Sequence, residues 1–193
     1  MVSKRNIVLF CFVALAVAFL VVSCSRGEKS KAPQEKGASV AIELTSPAFV
    51  AGAPLPAKYT CDGENVSPPL KWSGIPQDAQ SLALLCEDPD ATEGSRVLWL
   101  VYNIPPSVAE LTEAGPAIGI LPNGAKQGTN DFKTLGYTGP CPPPGKTHRC
   151  MFKLYALDDM PKLPPGISKK DLINAMERHH LAERQLMATC QKK

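Results

Sequence analysis

The stretch Ser81–Ser107, SLALLCEDPDATEGSRVLWLVYNIPPS, holds two apolar runs, SLALLCE and VLWLVYNI, parted by the turn cluster DPDATEGS. Both runs are strand-length, rich in Leu, Val and Tyr, and bounded by Pro, Asp, Asn and Gly, which favours strand over helix. They are nearly continuous rather than alternating, so the strands are expected to be buried on both faces. The same pattern recurs outward. VAIEL (40–44) runs into TSP, and CMFKLYAL (150–157) runs into DDMPKLPPG. No helical pattern lies between these runs. That excludes alternating βαβ units and predicts a mainly β fold, an antiparallel sandwich or barrel.

Helix is expected only near the end. Ser168 and Asp171 have capping-box spacing, with aspartate in place of the usual glutamate. Leu172, Ile173, Met176, Leu181, Leu186 and Met187 then suit one apolar side. The pattern predicts helix over most of 169–188, with His179 as the candidate break. His179 and His180 fall on that helix, facing the surface or capping a buried edge, and Glu177 and Glu183 read as its solvated face.

The chain has 193 residues and a formal charge of +3. An excess that small, with no basic stripe bearing aromatics, predicts no nucleic-acid partner. Residues 1–23 read as an export signal: Lys4 and Arg5, an apolar run from Ile7 to Val22, then Ser23. The run falls short of the roughly 20 residues that span a bilayer. Residues 24–39 are polar, with mixed charge, Gly and Pro, and read as a tether reaching roughly 20 Å. Residues 40–193 are then one domain, long enough to bury a core.

The chemistry-bearing residues gather in a few loops. Asp88 and Asp90 flank Pro89 at a strand end, and i, i+2 residues share a face in extended chain. Two such carboxylates repel unless something positive sits near them, and His148 and Arg149 open another strand. A histidine held by a carboxylate protonates more readily, and its other N–H can bind an anion. The proline-rich loop GYTGPCPPPG (136–145) has its shape largely set by the chain, and its amides could form an anion nest. Asp-Pro-Asp read merely as a turn is the alternative. No C-x-x-C or C-x-x-H spacing and no G-x-S-x-G are present, so neither a metal site nor a cofactor is expected. Trp72, Trp99, Phe132 and Phe152 read as core.

The ordered motifs YTCDGENVSPPLKW, SLALL with EDPDA, WLVYNIP, GTNDF, GYTGPCPPPG, HR and FKLYALD resemble the phosphatidylethanolamine-binding protein (PEBP) family. The resemblance is to its bacterial Raf-kinase-inhibitor-like branch, the YbhB/YbcL type, and covers roughly Ile42–Thr189. It implies a β-sandwich of two antiparallel sheets with a C-terminal helix. It also implies a small pocket for anions such as phosphate or phospho-headgroups. By motif, the pocket residues are Asp88, Pro89, Asp90, Gly139, Pro140, Pro142, Pro143 and His148. Two positions depart from the family pattern: Leu98 stands where members usually carry histidine, and Cys150 where they usually carry tyrosine. Each lost donor is worth about 1.5–3 kcal/mol to a charged ligand. Both together would weaken anion binding about a hundredfold or more.

VVSC at 21–24 resembles the lipobox of bacterial lipoproteins, which would make Cys24 the lipidated residue and the envelope the location. Cys61 and Cys141 fall in motifs where the bacterial branch often has cysteine, which implies a bridge between them. Cys86 and Cys150 lie two residues from Asp88 and His148. If those two face one pocket, Cys86 and Cys150 either pair, leaving Cys190 free, or are small buried residues. The resemblance implies a membrane-tethered binding module for a small anionic ligand, or a module docking on a protein partner. The alternatives are a hydrolase using His148 with Asp88 and Asp90, and a structural envelope lipoprotein with a vestigial pocket. No nucleophile or metal set supports the enzyme reading.

Overall fold

The structure, a computed structural model, describes residues 41–192. The expected signal, Cys24 and the whole of the tether lie outside the described residues. β1 (Glu43–Thr45), β2 (Leu70–Ser73) and β5 (Glu110–Leu111) form a three-stranded sheet in the order β1-β2-β5. β3 (Ser81–Asp88), β4 (Arg96–Ile104), β6 (Lys126–Gln127), β7 (Thr147–Leu157) and β8 (His180–Gln191) form a five-stranded sheet, ordered β6-β4-β3-β7-β8. All pairings within both sheets are antiparallel.

β3 and β4 are apolar throughout because both their faces are covered. All of β3, and all of β4 after Arg96, is buried. On the inner face Leu82, Leu84, Trp99 and Val101 pack against Leu44, Leu70, Trp72 and Leu111 of the small sheet. On the outer face Ala83, Leu85, Leu100 and Tyr102 meet Leu172 and Met176 of α1 (Lys169–Met176). Burying such side chains fully is worth about 1.5–3 kcal/mol each. β7 instead alternates: His148, Cys150, Phe152 and Leu154 are buried, while Thr147 and Arg149 are exposed.

The helix begins where expected. The Ser168 Oγ accepts from the Asp171 N–H, and the Asp171 carboxylate accepts from the Ser168 N–H, closing a capping box. It ends far earlier than expected. Residues 180–191 are β8, paired along β7 from Leu157↔His180 to Thr147↔Gln191. Leu186, Ala188 and Cys190 are buried at period two. Leu, Ala, Glu, Arg, Gln and Met favour helix intrinsically, but a long ladder against a buried strand overrides that preference. His179 therefore sits in the connection, half-buried, and His180 opens a strand, exposed; His179 Nδ1 is bonded to Asp158 Oδ1 at 2.8 Å. Glu183 is an exposed strand residue. Phe132, expected in the core, is 39% exposed with Arg96 over its ring at 5.5 Å.

Cys61 and Cys141 are bridged, with Cα atoms 5.3 Å apart. Cys150 is bridged to Cys190, Cα atoms 6.4 Å apart, and Cys86 is a free buried thiol. This corrects the expected Cys86–Cys150 pair and free Cys190. Reading 169–188 as mostly helix hid the alternative, because only the β7–β8 ladder brings Cys190 beside Cys150.

Behind the sheet, facing α1, Glu87 is buried and accepts hydrogen bonds from Lys153, Lys169 and the Ser95 hydroxyl. Burial alone would raise its pKa, but the lysine hydrogen bonds and charges outweigh it and hold it below the ordinary 4.5. A depressed folded-state pKa contributes stability that is present above the unfolded value and lost as pH falls through the folded one. Glu87→Gln is therefore expected to lose stability at neutral pH and to flatten the fall in urea midpoint below about pH 4.5. An unchanged acid limb in the variant would contradict this assignment.

Candidate functional site

The site is built where β3 ends and β7 begins. Asp88 closes β3 on the inner face, and His148 is the second residue of β7 on the same face. Their side chains meet, His148 Nδ1 to Asp88 Oδ2, at 2.8 Å. Both are buried, at 4% and 8% exposure. A carboxylate only accepts, so Nδ1 carries the proton. Nε2 makes no hydrogen bond to any described residue, and it is not sealed, since the one sealed unpaired side-chain atom among them is Asn103 Oδ1.

Asp90 does not share the face of Asp88. The chain turns at Pro89, and Asp88 Oδ1 accepts the Asp90 N–H at 2.9 Å. The Asp90 carboxylate then takes three donors from Arg149: the backbone N–H and Nε at 2.9 Å each, and an Nη at 2.7 Å. The Arg149 side-chain hydrogen bonds, outweighing slight burial, lower the Asp90 pKa to about 2. So the two acids are divided between the two bases, one pair inside and one outside.

The proline-rich loop is tied to the segment Tyr59–Asn65. Cys61–Cys141 crosslinks them, the Cys61 N–H donates to Pro140 O at 3.2 Å, and the Tyr137 hydroxyl donates to Tyr59 O at 2.6 Å. The Gly139 N–H donates to Asn65 Oδ1 at 2.6 Å. Gly139 has no room for a side chain: a Cβ there would meet Tyr59 O at 2.6 Å and Thr60 Cα at 2.9 Å. Asn65 itself sits in the left-handed region, φ 59°, a conformation asparagine tolerates. Asn130, in GTNDF, holds the approach to the loop: its Nδ2 donates to Gly136 O at 3.1 Å and Thr138 Oγ1 at 3.0 Å.

The expected anion nest is largely spent. Between Gly139 and Lys146 the prolines have no N–H, Gly139 serves Asn65, and Lys146 donates to Pro143 O at 3.0 Å. Cys141 and Gly145 are the uncommitted amides of that stretch. Pro140 and Pro142 are buried, Pro143 is exposed, and Pro89 is half-buried. Leu98 is 1% exposed in the core, and its carbonyl accepts the Thr138 N–H at 3.0 Å. Thr147, beside His148, lines a cavity of about 480 Å³ with Leu55, Ala57, Thr60, Thr189 and Gln191. Asp88, His148 and the loop prolines are not among its walls. Asn65 and Glu87 were not anticipated. The asparagine in DGENVSPP was the turn signal for the first, and its odd position beside two inward residues was the signal for the second.

Two outcomes follow. NMR titration of the Asp90 carboxyl is expected to give an inflection near pH 2, moving toward the ordinary 3.8 in Arg149→Met. Gly139→Ala is expected to cost about 1–3 kcal/mol in urea unfolding, the usual range for overpacking a closed site.

Residues 45–191 match the family model described as phosphatidylethanolamine-binding protein. A UPF0098 protein of Methanothermobacter thermautotrophicus is 51% identical over 146 residues, covering 76% of this chain and 96% of that one. A UPF0098 protein of Chlamydia muridarum is 43% identical over 153 residues, covering 77% and 97%. Among solved structures, a putative PEBP homolog from Chlamydia trachomatis superposes with TM-score 0.73 at 41% identity, covering 80% of this chain and 100% of that one. YbcL of E. coli, described as a member of the mammalian PEBP family, gives TM-score 0.74 at 33% identity, covering 79% and 99%. With the matched model spanning both sheets and the Asp88–His148 strand ends, the chain belongs to the phosphatidylethanolamine-binding protein family.

Proposed function

We propose that the chain is a binding protein whose ligand is a small anion or phosphate-bearing headgroup held at the ends of β3 and β7. The observation that carries this reading is His148: buried, fixed through Nδ1 by Asp88, with Nε2 uncommitted. A histidine oriented in this way presents one directed donor or acceptor at little entropic cost. The loop Gly139–Pro143 and the Pro89 turn would form the walls. The hydrolase alternative gains no support, since Leu98 offers no second acid–base group. Leu98 and the bridged Cys150 favour one second reading, a vestigial pocket in a protein that serves through a partner or structural contact.

We further propose export and lipid anchoring through Cys24, with residues 24–39 as tether. Two bridges among the described residues support this, because disulfides persist in oxidising compartments. No helix among the described residues is long and apolar enough to cross a membrane.

The test is calorimetric titration of residues 40–193 with inorganic phosphate and with phosphoethanolamine, beside His148→Ala. Saturable heat is expected, with affinity falling roughly 10–100-fold in the variant, the loss of one charge-assisted hydrogen bond. No heat up to millimolar ligand, from protein with a native circular dichroism spectrum, would end the anion reading and favour the vestigial one. For anchoring, fatty-acid labelling of the whole chain is expected to vanish in Cys24→Ala.

A further inference from the structure

The inner face of the five-stranded sheet carries three cysteines in one straight diagonal. On β3, Cys86 faces Phe152 of β7. On β7, Cys150 faces Ala188 of β8, while His148 faces Cys190. Passing from Cys86 to Cys150 moves one strand across and two residues down. Passing from Cys150 to Cys190 repeats that step in the same direction.

Two contacts show that side chains meet along this diagonal. Cys150 and Cys190 are bonded across it on β7–β8. Asp88 and His148 touch across it at 2.8 Å on β3–β7, the same strand pair that carries Cys86 and Cys150. The twist of a sheet is shared by adjacent strands, so Cys86 stands to Cys150 in the same diagonal offset that Cys150 has to Cys190. Cys150 therefore stands on one diagonal between Cys86 and Cys190, and all three residues are buried, at 0%, 0% and 1% exposure.

We propose that Cys86 is a resolving thiol for the Cys150–Cys190 bridge. The Cys86 thiolate attacks the Cys150 sulfur, the Cys86–Cys150 bond forms, the Cys150–Cys190 bond breaks, and Cys190 leaves as the thiolate. Cys190 takes up the proton that Cys86 gave off, so the exchange needs no oxidant or reductant. The free thiol thereby moves from the buried centre of the sheet to the end of the edge strand, next to exposed Gln191. The exchange also moves the crosslink from the β7–β8 pair, where Cys190 faces His148, to the β3–β7 pair that carries Asp88. Burial, with Glu87 and Asp88 adding to it, pushes the Cys86 thiol up, so exchange runs through a scarce thiolate and belongs to the slow range of disulfide reshuffling.

Disulfide mapping by mass spectrometry on the whole chain tests this. The chain is held for hours in a glutathione redox buffer, acid-quenched, alkylated and digested. The two isomers have the same bond type and the same strand offset. Cys86–Cys150 peptides are therefore expected within about tenfold of the Cys150–Cys190 peptides. In Cys190→Ser the Cys86–Cys150 bond is expected in most chains, with the Cys61–Cys141 peptide reporting a native fold. In Cys86→Ala only Cys150–Cys190 is expected. Absence of the Cys86–Cys150 peptide from the unsubstituted chain overturns the proposal. So does alkylation of both Cys86 and Cys150 in Cys190→Ser with Cys61–Cys141 intact. Should Cys190→Ser fail to fold, the unsubstituted chain decides alone.

Discussion

The register of β7 against its two neighbours sets nearly every polar and covalent contact described above. A strand's side chains alternate between faces, so a slip of one residue would exchange them all. In the observed register the even positions of β7 look into the sandwich and the odd positions look out. His148 then meets Asp88 inside, Arg149 meets Asp90 outside, Cys150 reaches Cys190 inside, and Lys153 reaches Glu87 outside. β3 supplies the matching alternation, Cys86 and Asp88 inward with Glu87 outward. Three acidic residues within four positions of a buried strand end would be costly if left unpaired. Each instead finds a base, and only the shared register allows all three pairings at once.

The loop that follows is stiff for a different reason. Its prolines fix local geometry, but its position comes from outside: a bridge to Cys61, a hydrogen bond to Asn65 and a hydroxyl from Tyr137 to Tyr59. These contacts use the amide of Gly139, and the prolines offer none. The same features that hold the loop in place therefore leave it little to offer an anion. Its contribution is shape, with Cys141 and Gly145 as residual donors.

The fold was legible wherever a strand is covered on both faces. SLALLCE and VLWLVYNI could not be stable as exposed segments, and their flanking turns fixed their lengths. The capping box of α1 was legible because it is local. β8 was not, because HLAERQLMATCQ is built from good helix formers and its strand character comes wholly from β7. That one error carried into the cysteines: a helix over 169–188 gives Cys190 no strand neighbour, so Cys86 was the remaining partner for Cys150. At the site, the Asp88–His148 and Asp90–Arg149 neighbourhood followed from strand-end placement. The division of the two acids between faces did not, since it depends on the chain turning at Pro89 right after the last strand residue.

These facts bear on what kind of ligand the strand ends would suit. A pocket specific for a dianion needs several charge-assisted donors converging in a dry site. Here the arginine is already committed to Asp90, one ring nitrogen of the histidine is committed to Asp88, and Leu98 and Cys150 contribute no donor. A bound anion would rest on His148 Nε2 and a few amides, which limits affinity and places selectivity in the fit of the surrounding prolines. That limit follows from how one arginine and one histidine are divided between two carboxylates, Asp90 and Asp88, on opposite faces of the strand end.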